Sequence, residues 1–374
     1  MNTKKSSHKC LSRSLAVAGI AFLSSSIPVF AAPSISGVSG ALTHGSSVTV
    51  SGSSFGTKAT AAPIKWGDFE SGTLGESMVN RGWSQYSGPT PVTSAEQSHA
   101  GSRSSLASLS AGTEDFDGAY LPLSSLTTLY ASMWFYWDRN PPGTPTGGEI
   151  FKWIRINASN APGNEVYTGN PQFRTQMQPA GTWCYDELHP NDTLNGSGFV
   201  QRDCDPAPTR GAWTRMDVLY RLSNPSGTAN GEIRTWYNGS AEMALSGVVT
   251  RASGITDSLT SILLPQMASL AGSASSYKFF IDDVYIDSTP ARIEICNAST
   301  YAGSTHCEVQ SATAWSAGSV TLTLNRGSFG TSDSAYLYVF DSANDSNSSG
   351  YSIIFGSSSG DITPPAPPTG LGVE

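Results

Sequence analysis

Seven side chains in the middle of the chain are of the types that hold sugars: Tyr136, Trp153, Arg155, Arg174, Gln176, Arg234 and Trp236. An indole or phenol ring stacks on the apolar face of a pyranose, and a guanidinium forks onto a carboxylate or sulfate. All seven fall in stretches that alternate in polarity with period two, the pattern of strands with one buried face. In 131–140, Met133, Phe135 and Trp137 oppose Trp134, Tyr136 and Asp138. In 148–157, Ile150, Ile154 and Ile156 oppose Phe151, Trp153 and Arg155. In 171–180, Phe173, Thr175 and Met177 oppose Arg174, Gln176 and Gln178. In 211–239, Met216, Val218, Tyr220 and Leu222 oppose Arg215, Asp217 and Arg221, while Ile233 and Tyr237 oppose Arg234 and Trp236. The expectation is that these strands align and gather the seven on one concave face, a trough for a polysaccharide. Its arginines would favour uronate or sulfate groups.

The elements that must position these residues are short strands. Asn230-Gly231 and Asn238-Gly239 are dipeptides suited to tight turns with positive φ. Charged residues make up only 13 % of 374, and 38 Gly and 22 Pro break the chain into short apolar runs. No stretch after the leader sustains a 3.6-residue apolar period. The expected class is therefore all-β.

Residues 1–31 read as a signal peptide: Lys4, Lys5, Lys9 and Arg13, an apolar run from Leu15 to Leu23, and a small-residue cleavage site ending at Ala31. The expectation is a secreted or cell-surface protein without a transmembrane segment, because no later apolar run is long enough to span a bilayer. Loss of the leader leaves 17 of the 21 basic residues against 29 acidic ones, a net charge near −12. That excludes nucleic acid as the expected partner. Cys184, Cys204, Cys296 and Cys307 remain, an even set that reads as two disulfides with three possible connectivities. Proximity favours Cys184–Cys204 and Cys296–Cys307.

A tryptophan-led strand, a loop ending Asn-Gly and a strand ending Trp236-Tyr237-Asn238-Gly239 resemble the matching segment of concanavalin A-like jelly rolls, found in laminin-G-like lectins and in polysaccharide lyases. The resemblance covers about thirty residues and implies a jelly-roll sandwich over 63–288, an architecture that hosts binding proteins and enzymes alike. The opening KWGDFESGTLG, the bend at SHAGSRSS and the closing YKFFIDDVYIDS resemble jelly-roll carbohydrate-binding modules. Such modules often share a structural calcium between first and last strands. Its ligands here would be Asp68, Glu70 and Asp282 or Asp283, with carbonyls from around Gly101 to Ser104.

Residues 32–62, with Gly52, Phe55 and Gly56, resemble the start of an IPT/TIG immunoglobulin-like domain, but the pattern stops after about twenty-five residues. Further alternating strands in 289–357 would bring it to the size of one Ig-like sandwich. Either the jelly roll is inserted into that sandwich, or 289–357 is a separate C-terminal β-domain. Residues 358–374 form a proline-rich linker similar to the lead-in of a fibronectin type III repeat, as if a further domain followed.

The leading expectation is an exported, lectin- or adhesin-like carbohydrate-binding protein; a non-catalytic surface structural protein is another reading. The enzymatic alternative is a lyase that cleaves a uronate glycan by β-elimination. Jelly-roll lyases imply an Arg, Gln or Asn that neutralises the uronate carboxylate and a Tyr, His or Lys that takes the C5 proton. Here Arg155, or Arg174 with Gln176, would neutralise, and Tyr136, Tyr237, Lys152 or His189 would act as base. The histidine-plus-tyrosine motif strings of alginate and heparin lyases are absent. So are Glu-x-Asp-x-x-Glu and Gly-x-Ser-x-Gly, which leaves no hydrolase signature. The polar stretch between Cys184 and Cys204 is expected to be one long loop.

Overall fold

A computed structural model describes residues 31–85, 90–110, 118–137, 150–159, 172–177, 184–189, 200–203, 208–264, 267–269 and 276–357. Residues 1–30 of the leader, the proline-rich tail and Cys204 lie outside these residues. Among the described residues the architecture is all-β and antiparallel throughout, with helix confined to two short 3-10 turns, and no helix is long and apolar enough to cross a membrane.

Period-two alternation sorts the middle segment into two sheets facing one core, a β-sandwich of jelly-roll class. The eight-stranded sheet is centred on Thr128–Trp137, with Tyr277–Asp287 on one side and Thr214–Arg221, Gly231–Tyr237 and Ser240–Val248 on the other. The nine-stranded sheet runs Val200–Asp203, Cys184–His189, Gln172–Met177, Arg155–Ser159, Ser258–Leu264, Ala119–Leu126 and Ser84–Gln85, with Ile150–Lys152 and Met267–Ser269 beside it. Met133, Phe135, Met216, Val218, Tyr220 and Ile233 from the first sheet meet Ile154, Ile156, Phe173, Leu188 and Ile262 from the second in one buried cluster. The expected inward faces of 131–137, 211–237 and 173–175 are the observed ones.

Asn238-Gly239 makes the expected two-residue turn, with φ of 49° and 82° between Gly231–Tyr237 and Ser240–Val248. Asn230-Gly231 does not. Gly231 already belongs to its strand, and it is glycine because a Cβ there would stand 2.1 Å from Thr250 Oγ1.

Two terminal segments share one seven-stranded sheet. Ser34–Ser39 pairs with Ser47–Ser53, which pairs in turn with Ser319–Thr323, and the order continues through Cys307–Ser316, Arg292–Cys296, Ser334–Phe340 and Tyr351–Ile354. Val48, Val50 and Phe55 pack with Ile293, Val320, Leu322, Leu337 and Val339 in a core of their own. The chain thus leaves this sheet after Ser53, builds the middle sandwich, and returns at Arg292. Cys296 and Cys307 are bonded, and Cys184 is also disulfide-bonded.

The outer face of the eight-stranded sheet is a seam against the terminal segments. Tyr130, Leu219 and Tyr285 pack with Val309 there, and Trp66 and Trp236 close the edge. Arg215 donates to Asp217 Oδ1 at 2.7 Å, to Glu294 Oε2 at 2.9 Å and to the Cys307 carbonyl at 2.9 Å. The Arg292 guanidinium pairs with Glu294 and lies 3.7 Å from the centroid of the Phe340 ring. Guanidinium and aromatic groups on this face hold the protein's own parts together.

Candidate functional site

The seven residues chosen for a common trough do not converge, and the sandwich itself is the reason. Tyr136, Arg234 and Trp236 belong to the outer face of the eight-stranded sheet, on the far side of the core from Arg155 and Arg174. Tyr136 lies against Trp213 and Phe280, Arg234 pairs with Glu232 at 2.6 Å, and Trp236 edges the seam. Trp153 is in the core, 4.7 Å from Phe135 between ring centroids. The alternation fails there because the strand breaks at Trp153-Ile154, and the phase of 150–152 slips by one against that of 155–159. Phe151 is therefore buried as well. Tyr237 points inward and donates to Asp186 Oδ1 at 2.9 Å, sealed from any glycan.

What remains is a polar patch on the outer face of the nine-stranded sheet. Ile154, Ile156, Phe173, Thr175, Asp186 and Leu188 are turned inward, so Arg155, Asn157, Arg174, Glu187 and His189 are turned out. Arg155 is opposite Arg174, which is opposite Glu187; in the next row Asn157 is opposite Gln172, which is opposite His189. Gln176 takes the same face by register, opposite Tyr185, and its side chain lies outside the described ones.

Arg155, Asn157, Glu187 and His189 are buried, and Arg174 is partly exposed. Arg174 Nε donates to Glu187 Oε2, and His189 Nε2 lies 3.4 Å from the same oxygen. Burial alone would raise the Glu187 carboxyl, but the hydrogen bond with His189 and the Arg174 charge outweigh it and hold the group below its ordinary value. Glu187 is thus an anion that orients an imidazole. Among the described residues, Asn157 Nδ2 is a buried donor with no acceptor. Such a group is costly unless something else takes the hydrogen bond.

The reading of 185–203 as one loop is corrected by this patch. Cys184–His189 and Val200–Asp203 are paired strands at the sheet edge, with residues 190–199 outside the described ones. Polarity hid them: both faces of 184–189 carry charge, because inward Asp186 is satisfied by the Thr235 and Tyr237 hydroxyls. Asn157 is legible in the sequence only as the polar phase of a strand whose register is unknown, and Glu187 only as part of the polar stretch expected to be a loop.

The structure places the residues of the expected calcium set as follows. Glu70 Oε1 accepts from the backbone amides of Ser102 and Arg103 at 2.8 Å each. Asp282 accepts from the amides of His99 and Asp283 at 2.9 Å. Asp68, Glu70 and Asp283 do line one small cleft, with Asn325 and Gly327.

No family model matches the sequence, and no curated protein matches it. Similar solved structures include an endo-β-1,4-glucuronan lyase from the fungus Trichoderma reesei, at 13 % identity and TM-score 0.44, covering 61 % of this chain and 97 % of that one. A double mutant of the alginate lyase Aly36B in complex with alginate trisaccharide is similar at 10 % identity and TM-score 0.45, covering 61 % and 99 %. The alginate lyase vAL-1 from Chlorella virus is similar at 13 % identity and TM-score 0.42, covering 60 % and 99 %. No residue role is carried over from them.

Proposed function

We propose that this chain is an exported polysaccharide lyase that cleaves a uronate-containing glycan by β-elimination on the outer face of the nine-stranded sheet. One observation carries the reading: a buried amide donor, Asn157 Nδ2, shares that face with two guanidinium groups and a Glu187-oriented imidazole. A uronate carboxylate is the ligand that such donors recognise.

The chemistry follows from charge. Hydrogen bonds from Arg155 and Asn157 to the carboxylate withdraw charge from C5 and stabilise the anion that forms on proton loss. His189, oriented by Glu187, takes the C5 proton. The C5 electron pair forms the C4=C5 double bond, the C4–O4 bond breaks, and O4 takes up a proton as the new chain end. Arg174, already paired with Glu187, is a positioning residue. Asn157 and His189 are two strand spacings apart, about 10 Å between backbones, a gap that a sugar ring and two side chains fill.

The test is the ultraviolet absorbance of unsaturated uronate when the protein is incubated with polyglucuronate, alginate and other uronate polymers. The expected result is turnover on at least one, lost in His189→Gln and Arg155→Ala. Binding without unsaturated product would return the patch to a lectin role; neither binding nor turnover would leave a surface structural protein.

A further inference from the structure

The seam between the middle sandwich and the terminal segments holds a second cluster, remote in the fold from the nine-stranded sheet. His99 comes from the turn before Ser104–Leu109, and His306 and Glu308 from the start of Cys307–Ser316. Their nitrogen and oxygen atoms all lie within 4.8 Å of one another. His306 Nε2 is 2.6 Å from Glu308 Oε1, and His99 Nε2 is 3.7 Å from that same oxygen.

We propose that His99, His306 and Glu308 form a binding site for a divalent transition-metal ion of the Zn2+ type. Three features support it. Glu308 is fully buried; its Oε1 lies against both imidazoles and accepts from the Ser328 amide at 3.1 Å, while its Oε2 has no hydrogen-bond partner among the described residues. A buried carboxylate oxygen without a donor is costly, and a cation held by the same carboxylate would offset that cost. Next, the other ring nitrogen of His99, Nδ1, is 3.0 Å from Asp283 Oδ2. A carboxylate on the far nitrogen fixes the tautomer that leaves Nε2 free to ligate, as at metal-bound histidines generally.

Finally, both rings are held in place. His99 stacks on Trp134 at 3.8 Å, and His306 stacks on Phe329 at 4.3 Å. Gly327 leaves room for the Glu308 carboxyl, since a Cβ there would stand 2.1 Å from Glu308 Cδ.

Two nitrogens and one carboxylate oxygen suit zinc and its neighbours, whereas Ca2+ takes six to eight oxygens. Tetrahedral bonds of about 2.0–2.1 Å put ligand atoms about 3.4 Å apart, so His306 and Glu308 part by less than about 1 Å and His99 moves in slightly. Water fills the fourth position. His306, the most exposed of the three at 23 % of its side chain, is the side of entry. The bound ion would replace the contact that His306 Nε2 now makes with Glu308 Oε1.

The experiment is calorimetric titration of the untagged, chelator-washed protein with Zn2+ alone, and with Co2+ for its visible absorption. The expected result is one Zn2+ per chain and a tetrahedral Co2+ spectrum. Affinity should fall at least tenfold in His306→Gln, in His99→Phe, which keeps the stack on Trp134, and in Asp283→Asn; His44→Gln should retain it. Circular dichroism of each variant establishes that it is folded. Absence of stoichiometric Zn2+ uptake by the folded wild type, undiminished uptake in both His306→Gln and His99→Phe, or displacement by excess Ca2+ would each overturn the assignment.

Discussion

Replacing Asp186 by asparagine should remove a pH dependence of stability that the wild-type protein carries. Asp186 is 1 % exposed, between the two sheets, where the Tyr237 and Thr235 hydroxyls donate to its carboxyl. Burial raises its pKa and the two hydrogen bonds offset only part of that, leaving the group at about 7. In the unfolded chain an aspartate titrates near its ordinary value of about 3.9. Between those values the folded protein holds a proton that the unfolded chain has released. Stability from this group is therefore complete below the unfolded pKa and is lost as pH rises through about 7. A separation of about three pH units, at about 1.4 kcal/mol each, amounts to about 4 kcal/mol.

The assay is urea unfolding of wild type and Asp186→Asn across the range from about pH 4 to about pH 8. Every other titrating group is common to both proteins, so the difference between the curves isolates Asp186. That difference should move by about 4 kcal/mol in favour of the variant from the acid to the alkaline end. Curves that stay parallel over the whole range would refute the argument, because they would mean that Asp186 is ionised in the folded protein at acid pH.

Further measurements bear on the patch and the seam. Asn157→Ala and Arg155→Ala should each lower kcat/KM for uronate elimination by about 100- to 1000-fold, with urea midpoints showing that the fold persists. Trp236→Ala should leave glycan turnover unchanged and lower stability by about 1–3 kcal/mol, since its ring edges the seam. Arg215→Met should cost about 3–5 kcal/mol in urea unfolding, because Asp217 would keep a buried charge without its cation and Glu294 would keep only Arg292. The Glu294 carboxyl, which burial alone would raise, is held at about 2 by Arg215 and Arg292. Paired replacement of Cys296 and Cys307 by alanine should cost about 3 kcal/mol, the closure entropy of an eleven-residue separation.

The sequence by itself determined the fold class and the inward faces. Period-two patterns in 131–137, 173–175 and 211–237 assign Met133, Phe173 and Met216 to the core, because a strand's side chains alternate whatever its neighbours are. Asn238-Gly239 likewise dictates its own turn, since few other residues tolerate two successive positive φ values. Polar phases carried less information. Arg155 and Arg234 read alike in sequence, yet one faces out from the nine-stranded sheet and the other from the eight-stranded sheet.

Which polar face meets which partner is a matter of strand order, set by residues hundreds of positions apart. Only the tertiary structure shows that the returning terminal segment covers Arg215 and Trp236, and that Asn157 and Glu187 share a face with Arg155. The same holds for the seam, where His99 meets Glu308 across more than two hundred residues of chain. Local alternation fixes the direction of a side chain relative to its own strand; the long-range pairing that closes two sheets and folds the ends against them decides what it meets.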